Sequence, residues 1–164
     1  TVMSNLGLDR AMREAGISVV KTAVGDRYVV EHLREHGLSF GGEQSGHLIF
    51  MDHSTTGDGL LTAILVAGLL QHERTALSEL AGVMKRYPQV LKNLIVNYKR
   101  PLETLSDTSR VIASAEQTLG DEGRVLVRYS GTENKVRVMI EGPDEALIGR
   151  LAAEILHALD VELN

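Results

Sequence analysis

The 164-residue chain contains no cysteine, no tryptophan, two phenylalanines and three prolines. Without cysteine it has no disulfide framework, no thiolate nucleophile and no thiolate metal site. The cytoplasm is the expected compartment. Long apolar runs are also lacking. The longest, residues 60–70, is interrupted by Thr62 and falls well short of the roughly 20 residues a membrane span needs. No secretory leader is legible at the start, so no membrane partner is expected. Excess positive charge is absent too: the formal charge of −5 argues against nucleic acid as a partner. What is present suits a soluble enzyme or binding module, since 43% hydrophobic and 24% charged residues supply both a core and a solvated surface.

Two domains are expected, residues 1–86 and 87–164, with a hinge near 87–101. The first alternates helix and strand signals, which argues α/β layers around a mixed sheet. Leu8, Ala11, Met12 and Ala15 share a helical face, and Gly16 follows as a stop. Ile17 to Lys21 reads as a strand, Asp26 to His36 as a helix closed by Gly37, and Leu38 to Phe40 and Leu48 to Met51 as strands around a glycine-rich loop. Asp58 offers a cap to the 60–70 helix, whose apolar character nearly all round implies burial. Thr75 could cap a helix running to about Arg86, and Tyr87-Pro88 breaks the pattern. Thr1-Val2-Met3 reads as the end of a strand whose beginning lies outside the chain. A fragment is therefore expected, with an open sheet edge where a first strand is missing.

The second domain reads as a small α+β fold, an antiparallel sheet with helices on one face. Val90 to Asn97 is either a strand or an extended crossing segment. A helix starts at Asp107 or Ser109 and ends at Gly120. Two strands follow, then a helix with the apolar stripe Leu147, Ile148, Leu151, Ala152, Ile155, Leu156 and Leu159.

Two polar loops carry chemistry. Arg128-Tyr129-Ser130-Gly131-Thr132-Glu133-Asn134 lies between two strand-like runs. A guanidinium fork matches phosphate oxygens, hydroxyls donate further bonds, and glycine lets backbone N–H groups approach an anion. Arg128, Ser130, Gly131 and Thr132 are therefore the expected phosphate ligands. Gly41-Gly42-Glu43-Gln44-Ser45-Gly46-His47 carries groups suited to sugar hydroxyls. Together they point to a phosphosugar. His32 and His36 share a helical face, but without a third ligand no metal site is expected.

On these two loops, in this order, and on Val24-Gly25-Asp26-Arg27-Tyr28-Val29 and Thr55-Thr56-Gly57-Asp58-Gly59, the chain resembles the α-D-phosphohexomutase family. The likeness is strongest to the third and fourth domains of its bacterial phosphoglucosamine mutases. One small departure is Asn134, where many members have proline. The resemblance implies an isomerase that interconverts glucosamine 6-phosphate and glucosamine 1-phosphate through a 1,6-bisphosphate. It implies Glu43 and Ser45 on ring hydroxyls, and the Arg128 loop on the phosphate distant from the chemistry. Asp26 and Arg27 are expected to contact substrate, with Asp26 favouring a 2-ammonium group. His47 is expected to line the pocket and is the candidate for proton transfer; a structural histidine is the alternative.

The family's phosphoserine and its Mg²⁺-binding aspartate loop have no counterpart in this sequence. Catalytic serine, Mg²⁺ and the domains that hold them are expected in cis elsewhere, and the fragment alone is expected to be inactive. Glucose or glucosamine 1,6-bisphosphate is the expected activator. Surface left by absent domains would favour self-association, a homodimer among the outcomes. A phosphomannomutase or phosphoglucomutase of the same superfamily, and a non-catalytic phosphosugar-binding module, are the competing readings.

Overall fold

The computed structural model describes residues 1–164, which divide into two compact units, Thr1–Arg86 and Tyr87–Asn164.

The first unit begins with α1 (Leu6–Glu14), where the Asn5 side chain accepts from the Gly7 N–H and so caps the helix. α2 (Asp26–His36) ends at Gly37 in the left-handed conformation. β1 (Phe40–Gly42) and β2 (Leu48–Phe50) form an antiparallel pair with Gly41 opposite Ile49. α3 (Gly59–Glu73) is capped by Asp58, which accepts from the Leu60 and Leu61 N–H groups. The buried core is small: Val29 and Leu33 of α2 against Ile49 of β2.

Four expectations change here. Residues 17–21 are not a strand; Ile17 and Val20 are exposed. β-branched composition favours a strand only where a ladder partner exists, and none pairs with this segment. The sheet is accordingly a two-stranded antiparallel pair, smaller than the mixed sheet expected. α3 is where it was expected, yet none of its residues is buried, and Leu60 is 74% exposed. Two three-residue strands offer too little surface to cover a 15-residue helix. The helix expected from Thr75 to Arg86 is a single turn, α4 (Leu77–Leu80), running into a 3-10 turn.

The second unit holds β3 (Gln89–Ile95), α5 (Ser106–Leu119), β4 (Arg124–Tyr129), β5 (Lys135–Glu141) and α6 (Glu145–Leu163). The sheet order is β3-β5-β4, all antiparallel. Residues 89–95, inside the range expected to hinge, are thus paired along their length with β5. Alternation sorts β5 into two faces. Val136, Val138 and Ile140 join Ile148, Leu151, Ala152, Ile155 and Leu159 of α6 and Ala115 and Leu119 of α5 in one core. The opposite face carries Arg137 and Glu141, across from Arg128 and Arg124 of β4. There the fully buried Glu141 accepts from Arg124 Nε at 2.6 Å and Gln89 Nε2 at 2.7 Å.

Candidate functional site

The β4–β5 hairpin sets the loop expected to bind phosphate. Its ladder places Arg128 directly opposite Arg137, so two guanidiniums share one face. Like charges so placed repel. The Nε atoms of both are buried and make no hydrogen bond. Burial first, and then the Arg137 charge, push the Arg128 guanidinium down from its ordinary value. Such an arrangement is uneconomical unless an anion joins it.

The connecting loop, residues 130–134, is organised the same way. Ser130 is buried and its N–H donates to the Lys135 carbonyl at 2.8 Å. Three loop carbonyls are engaged: Ser130 O accepts from Lys99 Nζ at 2.8 Å, Glu133 O from the Lys135 N–H, and Asn134 O from the Val96 N–H. The N–H groups of residues 131–134 donate to nothing in the protein. Three engaged carbonyls and amides without a protein partner are the features an anion-binding loop needs. Tyr129 holds the neighbouring strap through its hydroxyl, which donates to the Arg100 carbonyl. Glu133 does not accept from Arg128. Its carboxylate lies 2.7 Å from Lys135 Nζ and 3.6 Å from an Arg137 guanidinium nitrogen. The Lys135 hydrogen bond chiefly holds it below the usual carboxylate range.

Sequence reasoning missed Arg137 and Lys99. Arg137 becomes readable once the register is known: Tyr129 pairs with Val136, so Arg128 faces Arg137, whereas a slip of one residue would turn Arg137 to the other side. Lys99 gave no such signal, because its contact spans 31 residues.

In the first unit, Gly25 begins α2 at φ 128°, a conformation open to glycine. Its N–H donates to Glu43 Oε1 at 3.0 Å, which sets the carboxylate at the positive end of the helix. Glu43 and Asp26 are thereby brought to one place. Asp26 Oδ1 accepts from the Arg27 N–H at 2.8 Å. Arg27 itself is exposed and engages Tyr28 and Glu31. Ser45 is exposed in the β1–β2 turn. The His47 ring packs directly on the Gly57 backbone, where any Cβ would come within 2.0 Å of it.

Comparison with known proteins fits both halves. Residues 1–87 match the model for the phosphoglucomutase/phosphomannomutase alpha/beta/alpha domain III, and residues 74–158 match that for the C-terminal domain. The chain belongs to the phosphoglucomutase/phosphomannomutase family. A phosphoglucosamine mutase from Anaeromyxobacter sp. (strain Fw109-5) is 58% identical over 97% of this family member, which covers 34% of that relative. The chain thus spans about a third of the length of the curated relatives it matches. Among solved structures, an Aspergillus fumigatus N-acetylphosphoglucosamine mutase in complex with glucose 1,6-bisphosphate superposes with a TM-score of 0.78 at 20% identity, covering 98% of this chain and 37% of that one. The same fungal mutase with GlcNAc-6P and magnesium gives 0.58 at 25% identity over 67% of this chain and 22% of that one.

Proposed function

We propose that this chain is the sugar- and phosphate-recognising part of a phosphoglucosamine mutase that interconverts glucosamine 6-phosphate and glucosamine 1-phosphate through a 1,6-bisphosphate. The observation that carries the reading is the pair Arg128 and Arg137, opposed across the β4–β5 ladder with unpartnered Nε atoms beside a loop of free amides. The names of relatives 50–58% identical support the substrate.

In this reading Arg128, Ser130, Gly131, Thr132 and Arg137 grip the phosphate far from the reacting centre. Binding energy gained there orients the transferring group. Glu43, using Oε2, and Ser45 accept and donate to ring hydroxyls, whose disposition is similar in either orientation of the sugar. Asp26 favours a protonated 2-amino group. His47, seated on Gly57, lines the sugar site and is the candidate for moving a proton near neutral pH. No three His, Asp or Glu side chains are grouped to hold a metal ion. Mg²⁺ and the phosphorylated serine are assigned to the remainder of the mutase. The reaction belongs to amino-sugar nucleotide synthesis in the cytoplasm.

The test is an NMR titration of the 164-residue chain with glucosamine 6-phosphate. Saturable shifts of the Ser130, Gly131 and Thr132 amides, lost in Arg128→Ala, are expected. Additional shifts at Glu43 and Ser45 are expected for the sugar. Saturation of the chain without any movement at residues 130–132 would reject the phosphate assignment.

A further inference from the structure

We infer that Glu133 is a built-in counter-ion that competes with the ligand phosphate for Arg137 and so weakens the grip of the loop. The inference rests on the phosphate reading of that loop and deepens it. A carboxylate beside an anion site is counterproductive for affinity alone. Here it is placed with care. One oxygen is 2.7 Å from Lys135 Nζ and the other 3.6 Å from Arg137. The near contact has hydrogen-bond length, and the far one is a loose ion pair. Glu133 is therefore parked on Lys135 and shared with Arg137, the guanidinium whose Nε has no partner. Its ionised form is favoured, so the charge persists through the neutral range. All three residues lie on the exit side of one hairpin, within five positions of sequence. Lys135 thus regulates how much of Arg137 the carboxylate claims.

The consequence suits a mutase. A bisphosphate intermediate has to exchange which phosphate sits in the distal site. A clamp of two arginines and a row of amides, uncompensated, would hold a dianion too long for that exchange. A resident carboxylate replaces the departing phosphate as partner to Arg137 and shortens the residence.

The test uses the 164-residue chain and inorganic phosphate, followed by amide shifts of residues 130–132 at fixed pH and ionic strength. Removing one negative charge at this distance near the surface gives an expected roughly three- to tenfold tighter binding in Glu133→Gln, with a steeper loss of affinity as salt is added. Lys135→Met is expected to weaken binding, and to weaken it less when made together with Glu133→Gln, because the carboxylate it would release is gone. A purely structural Glu133 predicts the reverse, weaker binding in Glu133→Gln as the loop loses its order. Unchanged or weaker binding in that variant, or additive effects in the double variant, overturns the counter-ion role while leaving the phosphate site standing. If phosphate moves residues 130–132 in neither the parent nor the variants, both readings fall.

Discussion

Arg137→Met should make the phosphate-free protein more stable while abolishing its response to phosphate. The substitution removes one of two guanidiniums opposed on the same face of the hairpin and keeps an apolar stem of similar length. Like charges directly opposite in a ladder cost about 0.2–1 kcal/mol. An unpaired buried polar group costs about 1–3 kcal/mol. Only the Nε of each side chain is shielded, and both residues are partly exposed, so most of the second cost is screened by water. The ion pair lost to Glu133 is loose at 3.6 Å and screened by water, so it offsets only part of this gain. The expected net gain is about 0.5–1 kcal/mol. Phosphate at a hundred times its dissociation constant should stabilise the parent by about 2.7 kcal/mol and leave the variant unchanged, so the order of stabilities crosses. Urea unfolding followed by far-UV circular dichroism would measure it. The Val138 and Ile140 amides would report the second unit separately, since two units need not unfold together. A variant destabilised by more than about 1 kcal/mol without phosphate, or one that phosphate stabilises as much as the parent, would refute the reasoning.

The same face gives a contrasting case. Arg124→Met leaves the fully buried Glu141 carboxylate with Gln89 but without its guanidinium, and should cost about 3 kcal/mol in urea unfolding. At the far end of the unit, Glu162 accepts from the Thr108 N–H at 2.8 Å, in the first turn of α5, which has no side-chain cap of its own. Thr108, through its side chain and then its backbone, holds the Glu162 carboxyl below the usual range; of these contacts the backbone one has full hydrogen-bond geometry. A depressed folded pKa means the stabilisation is complete above the unfolded value and is lost as pH falls through the folded one. Glu162→Gln should therefore lower the urea midpoint at neutral pH, and the difference from the parent should vanish in acid below the ordinary glutamate range.

What the sequence disclosed follows from the range of the interactions involved. α1, α2, α5 and α6 were legible because their signals are local: the stops Gly16, Gly37 and Gly120 and the apolar run from Leu147 to Leu159 each lie within or next to the helix they mark. The two polar loops were legible for the same reason, each being a contiguous run. Ile17 to Lys21 was misread because β propensity speaks of a side chain's preference, whereas a strand needs a neighbour to bond. The burial of α3 was misjudged because apolar composition states a demand for cover, not its supply. At the site, Arg128 was named from its motif and Arg137 was not, since it sits among valines that read as plain strand. The partners of Glu133 depend on which face each residue of β5 takes, which the strand pattern holds but the motif does not.

The central position of β5 has one last consequence, for how the sheet comes into being. β3 and β4 never touch; each bonds only to β5. The strand that emerges from the 130–134 loop is therefore the template for both neighbours, one supplied by a short hairpin and the other by a segment some forty residues upstream in the chain. A chain that stopped anywhere short of Lys135 would hold two strands with no ladder between them. The loop proposed to take a ligand is also the gateway through which the domain acquires its middle.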